Sequence, residues 1–315
     1  MHNTNNTNFT NITFDEGYDQ FIKYCKVRNL REGTITHYDN TMYSIYKFIE
    51  PKMLIKDITP STIDSFILYM QNELNIKDVT INTYLRTLKT ILYYFMRLGY
   101  MEQFKIPIYK FDTQIVETYT DAELEILLKK PNISKCTFAT FRSWAICNFL
   151  LGTGCRVGTL INIKNKDIDF ANEVVYFNVT KNRKPLIIPL STTLITVLKQ
   201  YMKVRGGDLE DYLFCTEYGK QADRQTINLS VRTYNRKRGV MKIGLHKFRH
   251  TFAKKYILNG GDAFRLQKIL GHSDIRVVKM YVNMFTDDLQ KDFNNISPLE
   301  RLQAQTNKKL KMTRR

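Results

Sequence analysis

Cysteine is scarce in this sequence, with five residues at positions 25, 136, 147, 155 and 215. The number is odd and no Cys-x-x-Cys pair occurs, which argues against a disulfide framework or a structural zinc site and for a reducing compartment, the cytoplasm. Long apolar runs are missing as well. No stretch approaches the ~20 residues needed to cross a bilayer, and the opening MHNTNNTNFTNITF lacks the apolar segment of a signal peptide, so no membrane partner is expected. Acidic residues are outnumbered, 30 against 48 basic, for a formal net charge of +18. No fold requires that excess. It points to a polyanionic partner, nucleic acid ahead of an anionic membrane surface, with a merely basic soluble protein as the plain alternative. No internal repeat is evident.

What is present suffices for a substantial core. The 315 residues, 43% of them hydrophobic, allow one large domain or two of ordinary size. Residues 1–14 read as an Asn/Thr-rich disordered tail. Residues 15–104 read as an all-helical domain of about four helices. In it Ile35, Tyr38, Met42, Ile45 and Ile49 form one stripe, Thr59-Pro60 starts a helix, and Ile81, Leu85, Leu88, Leu92 and Phe95 form the strongest stripe, ended by Gly99. Arg86, Lys89 and Arg97 lie on the other faces of that last helix, as DNA contacts or as ordinary solvated surface. Residues 105–117 have no clean period and read as a linker. Thr120 and Glu123 form a capping box that opens a second domain, 118–285. There Trp144–Leu151 reads as a buried helix, and Val174–Val179 and Leu186–Ile188 as strands flanking the basic turn Lys181-Asn182-Arg183-Lys184. Residues 286–315 read as a C-terminal helix, opened by Ser297-Pro298-Leu299-Glu300 with Leu299 and Leu302 on one face, and a basic tail.

Four short segments carry chemistry: Thr153-Gly154-Cys155-Arg156; Lys181 in the basic turn, beside Arg183 and Lys184; His246-Lys247-Phe248-Arg249, whose i, i+3 spacing puts His246 and Arg249 on one helical face; and Leu270-Gly271-His272, followed nine residues later by Tyr281. Each alone has a bland reading. A turn lysine is usually solvated, and any one of 19 tyrosines is more often core or surface than nucleophile. Their order and spacing together are less easily set aside, and three of the five histidines (246, 250, 272) crowd into this stretch.

Together the segments resemble the tyrosine recombinase (phage-integrase-like) family, whose signature is Arg, a hairpin Lys, His-x-x-Arg, a second His or Trp, then Tyr. Arg156, Lys181, His246, Arg249, His272 and Tyr281 match its six positions in order, and the likeness covers roughly residues 15–285. One position departs: the family usually carries Glu or Asp three residues after the first arginine, where this chain has Thr159. The resemblance implies a mainly α fold with a small antiparallel hairpin or sheet, built as a helical core-binding domain and a mixed α+β catalytic domain that form a C-shaped clamp on DNA. It implies site-specific cutting and rejoining of double-stranded DNA at inverted-repeat core sites, through a covalent 3′-phosphotyrosyl link to Tyr281, by a self-assembled tetramer. The short N-terminal extension suggests a simple-site recombinase without an arm-binding domain. The alternatives are a type IB topoisomerase-like activity and a non-catalytic DNA-binding regulator.

The residue types suit that chemistry. Attack on a phosphodiester builds negative charge on the non-bridging oxygens, and the planar, always charged fork of arginine meets it with paired hydrogen bonds. Cations favour the phenolate of tyrosine, His246 is a candidate base, and Lys181 is the resemblance-based acid for the leaving 5′-oxygen. No metal or cofactor is implied. Metal-dependent DNA enzymes need clustered carboxylates, and the most suggestive pair, Asp167 and Asp169, reads as a polar turn before a strand.

Overall fold

The computed structural model describes residues 10–107, 109, 117–271, 297, 299 and 302. The chain divides into two compact units, Met1–Gln114 and Ile115–Arg315.

The first unit holds α1 (Phe14–Val27), α2 (Glu32–Ile45), α3 (Pro60–Asn72) and α4 (Asp78–Arg97). The periodic apolar positions account for its core. Ile81, Leu85, Leu88, Leu92 and Phe95 of α4 are all buried, together with Met42, Ile45 and Ile49 from the α2 stripe. Thr59 caps α3 with Pro60 in the first turn, and Gly99, at φ +72°, takes the left-handed position just past the end of α4. The core reaches beyond the boundaries expected from sequence in both directions. Thr13 and Glu16 form a capping box that starts α1 at the fully buried Phe14, which therefore belongs to the helix and not to a tail. Ile106, expected in a linker, is buried in the same core. Both misassignments have one cause: short apolar residues beside polar runs give no period, although a single buried side chain is enough to pin the backbone.

The second unit is built round α6 (Phe138–Thr153), which follows α5 (Asp121–Leu128) and is apolar on nearly every side. It packs against α5, α8 (Thr192–Arg205), α9 (Arg224–Lys237) and α10 (Leu245–Leu258), and a helix surrounded in that way needs no polar face. The Thr120/Glu123 capping box opens α5 as expected. The short α7 (Val157–Leu160) follows α6, and α11 (Ala263–Leu270) follows α10. A three-stranded antiparallel sheet, ordered β1-β2-β3, lies between α7 and α8 in sequence: β1 (Ile168–Asp169), β2 (Val174–Phe177) and β3 (Leu186–Pro189). Val175 pairs with Ile188 and Phe177 with Leu186, which leaves residues 178–185 as the connection. β1 is the strand that sequence does not show. Asp169, expected in a turn, pairs with Val174, and its carboxylate also accepts from the amides of Ala171 and Asn172. Asp167, buried, accepts from Asn178 at 2.8 Å and from the Lys164 amide at 2.8 Å. Both carboxylates thus serve the fold.

The five cysteines are free thiols. Among the described residues no helix is long and apolar enough to cross a membrane. His272, Tyr281, the Ser297–Glu300 capping box apart from Ser297 and Leu299, and the basic tail lie outside the described residues.

Candidate active site

The loop after α6 sets the site. Thr153 ends the helix, and Gly154 caps it in the left-handed conformation, φ +62° and ψ 17°. A Cβ there would lie 2.4 Å from a ring carbon of Phe252, so glycine is required both by the backbone and by the approach of α10. Arg156 emerges directly afterwards, half-buried, as the N-cap of α7.

Arg249 comes from one face of α10 and is buried, 5% exposed. Its Nη1 donates to the Gly154 carbonyl at 2.8 Å and its Nη2 to the Leu270 carbonyl at 2.8 Å. Arg156 Nη1 donates to the same Leu270 carbonyl at 3.2 Å. Both arginines therefore converge on one main-chain oxygen at the C-terminus of α11, where the helix dipole is negative and carbonyls lack intrahelical partners. That answers the question raised by Thr159. Thr159 is buried in the wall of the same cavity as Arg156 and carries no charge, and Arg156 takes the Leu270 carbonyl as an acceptor.

The hairpin is tied to the same place. Asn182 donates to the Gly271 carbonyl at 3.0 Å. Thr180 donates to the Lys184 carbonyl at 2.7 Å, and Arg183 takes a left-handed φ of +57°, which folds the basic turn tightly. Lys181 is exposed at that turn. Between the hairpin, the Arg156 loop and α11 lies a cavity of about 880 Å³, whose wall includes Arg156, Arg249, Asn182 and Lys184.

His246 projects from the first turn of α10 with an exposed face. Desolvation, and then the charges of Arg249, Arg156, Arg224 and Lys181, hold its pKa below the ordinary histidine value. It is therefore neutral at pH 7 and able to accept a proton. His250, one turn along, is also held low, by desolvation first and then by His246 and Arg249.

Four of the six signature residues, Arg156, Lys181, His246 and Arg249, are thus brought together from segments up to 93 positions apart, while His272 and Tyr281 are not described. Sequence reasoning missed Arg224. It opens α9, is exposed, and lies against α7: a Cβ on Gly158 would fall 2.6 Å from its Nη2. Its charge reaches His246. An arginine behind an Asp N-cap is unremarkable in sequence; only Gly158, two residues after Arg156, hinted at a close neighbour. The candidates in the first unit fare unequally. Lys89 donates to the Ile106 carbonyl at 3.3 Å and lies over Tyr93, and Arg97 stacks on Tyr24 and Tyr94. Arg86 is exposed on α4. Arg183 and Lys184 are exposed on the hairpin turn.

A mainly helical unit with a small antiparallel sheet, two arginines on one carbonyl and a neutral histidine among cations define a protein class that comparison with known proteins identifies. Residues 117–287 match the phage integrase family and residues 13–112 the phage integrase SAM-like domain; the chain belongs to the phage integrase family. It is a tyrosine-type site-specific DNA recombinase. Among curated relatives, the tyrosine recombinase XerC of Staphylococcus aureus is 26% identical over 298 residues, covering 91% of this chain and 98% of the relative. The tyrosine recombinase XerD of Staphylococcus saprophyticus is 25% identical over 292 residues, covering 89% and 98%. Among solved structures, the Tn1549 transposon integrase in complex with circular intermediate DNA superposes with a TM-score of 0.69 at 22% identity, covering 86% of this chain and 95% of that one. A lambda integrase tetramer bound to a Holliday junction gives 0.69 at 17% identity, covering 86% and 78%. These two show the fold.

Proposed function

We propose that this recombinase cuts and rejoins double-stranded DNA at inverted-repeat core sites, with Tyr281 as the nucleophile and Arg156, Lys181, His246, Arg249 and His272 as the groups that act on the scissile phosphate. The observation that carries the reading is the convergence of Arg156 and Arg249 on the Leu270 carbonyl, immediately before the segment that leads to Tyr281. Guanidinium has five N–H donors. The carbonyl contacts fix the plane of each guanidinium, so that its charge is preorganised where negative charge develops on the non-bridging oxygens.

The Tyr281 oxygen attacks phosphorus as neutral His246 takes its proton. The P–O5′ bond breaks, and the leaving oxygen takes a proton from Lys181, giving a 5′-hydroxyl and a 3′-phosphotyrosyl bond. A 5′-hydroxyl of a partner strand then attacks phosphorus and releases Tyr281. No external energy is consumed, because one phosphodiester is exchanged for another through an ester of similar energy. Arg183, Lys184 and Arg224 flank these groups and would hold neighbouring backbone phosphates, and Arg86 would do the same from α4. Assembly follows the relatives: one of the solved neighbours is a tetramer on a Holliday junction, and a tetramer of this chain on two paired sites is the corresponding proposal.

The test is a suicide substrate, a nicked core site from which the cleaved fragment diffuses away. The wild-type chain accumulates a covalent protein–DNA adduct. Tyr281→Phe, which lacks only the hydroxyl, binds the site with affinity near wild type and gives no adduct. Adduct formation by this variant at a useful rate would refute the assignment.

A further inference from the structure

The second unit contains another cavity, of about 390 Å³, between the first turns of α6 and the outer face of α9. Its wall is rich in hydroxyls, among them Thr140, Ser143 and Ser230, and it carries Arg142, with Lys237 and Arg238 at the C-terminal end of α9. Arg142 is the unusual member. It is 4% exposed, and among the described residues it forms no salt bridge. Its Nη1 donates to the Cys215 carbonyl at 2.5 Å and its Nη2 to Ser230 Oγ at 3.2 Å, while its buried Nε has no hydrogen-bond partner among the described residues. The Phe138 ring faces its Cζ at 5.9 Å. A buried cation held only by neutral acceptors and a ring is costly unless an anion completes it.

Glu217, exposed and outside the cavity wall, acts on Arg142 through its charge without an ion-pair contact among the described residues, and the cavity supplies the rest of a cradle for an anion. Ser230 donates to Ser143 at 2.7 Å and Ser143 donates on to the Ala139 carbonyl at 2.8 Å, which links α6 to α9 beside the guanidinium. Thr137 caps α6, so the positive end of a 16-residue helix opens on the same space. No carboxylate lines the cavity. A planar guanidinium and flanking cations fit a tetrahedral oxyanion carrying one to two charges, and the Ser230 hydroxyl, which now donates to Ser143, can turn to it.

We infer that this cavity is a binding site for a phosphate group, centred on Arg142 and Ser230 and separate from the recombination site. Its walls are not isolated from that site. α6 runs on into Gly154 and Arg156, and α9 begins at Arg224. Occupancy therefore ties together the two helices whose ends carry active-site cations. The phosphate can come from a small free anion or from the DNA backbone.

Inorganic phosphate is the probe. The full chain is titrated calorimetrically with sodium phosphate and, separately, with sodium chloride at matched ionic strength. One saturable phosphate site per chain is expected, with no counterpart in chloride. Ser230→Ala, which keeps the buried charge, weakens it at least tenfold, and Arg142→Lys does so more strongly. Lys203→Ala, an exposed cation on α8, leaves it unchanged. Because Arg142→Lys can unfold the unit, the Ser230 variant, checked for native thermal unfolding, decides. Equal responses to the two salts, or wild-type affinity in folded Ser230→Ala, overturns the proposal. Repeating the titration with a core-site duplex bound separates the sources: persistence of the phosphate signal identifies a free anion, and its loss identifies the DNA backbone.

Discussion

His246 stands among four cations, Arg249, Arg156, Arg224 and Lys181, which together with desolvation depress its pKa below 6.5. The sign of the effect is definite. The neutral, proton-accepting form is lost only as pH falls through the depressed folded value, so single-turnover cleavage stays level at neutral pH and its acid limb lies below 6.5. Stability runs the same way: the unfolded chain takes up the proton first on acidification, so this residue's contribution falls as pH drops from 6.5 toward the folded value. Arg224→Ala removes one of the depressing charges. Its acid limb is expected to move to higher pH, while Arg224→Lys, which keeps the charge, stays near wild type. A pH profile of adduct formation checks this, and an unmoved limb in Arg224→Ala would remove Arg224 from the site. Little of this was visible in the chain of letters. The spacing of His246 and Arg249 on a helix was, because i and i+3 share a face. The approach of Arg224 was not, because it depends on how α9 packs on α7, and no local pattern encodes that.

At the scale of elements, the turn after α6 concentrates two demands on Gly154, a left-handed backbone and the space occupied by Phe252. Gly99 has the same backbone demand with open space around it. Gly99→Ala should therefore cost only the left-handed strain, roughly 1–2 kcal/mol, whereas Gly154→Ala adds a steric clash and should cost measurably more while displacing Arg156. Urea midpoints of the two variants and the adduct assay give the comparison; equal losses of stability would mean that the Phe252 contact relaxes freely. Helices were the legible elements, since the α4 stripe, the Thr59-Pro60 start and the Thr120/Glu123 box are local signals. β1 was not legible, because two residues cannot show a period and their strand character comes only from pairing with β2. Phe14 and Ile106 are illegible for the related reason that one buried side chain has no rhythm.

At the scale of the whole molecule, the excess of positive charge has a thermodynamic signature. A chain of net charge +18 that grips DNA through its phosphates releases condensed counterions, and its observed affinity falls with a log–log slope of about −0.9 per phosphate neutralised. The expected outcome is a steep, linear loss of core-site affinity with salt in a gel-shift or anisotropy titration. Arg183→Ala and Lys184→Ala, made singly, should each reduce the slope by about one such unit. A flat response would leave the charge without a role in DNA binding. Composition alone announced this property, since it is a sum over the chain and does not depend on which residues meet.

The oxygen shared by Arg156 and Arg249 belongs to the main chain of Leu270. A carboxylate that buttresses an arginine depends on the side chain at its own position, and position 159 holds threonine. A peptide carbonyl survives every substitution at its own position. The mutational sensitivity of the site therefore shifts one residue onward, to Gly271, which ends α11 at φ +60°, a backbone that side chains rarely adopt, and whose Cβ would press on the tip of the Leu186 side chain at 2.7 Å. The constraint on the pair of arginines thus rests on a glycine that bears no charge.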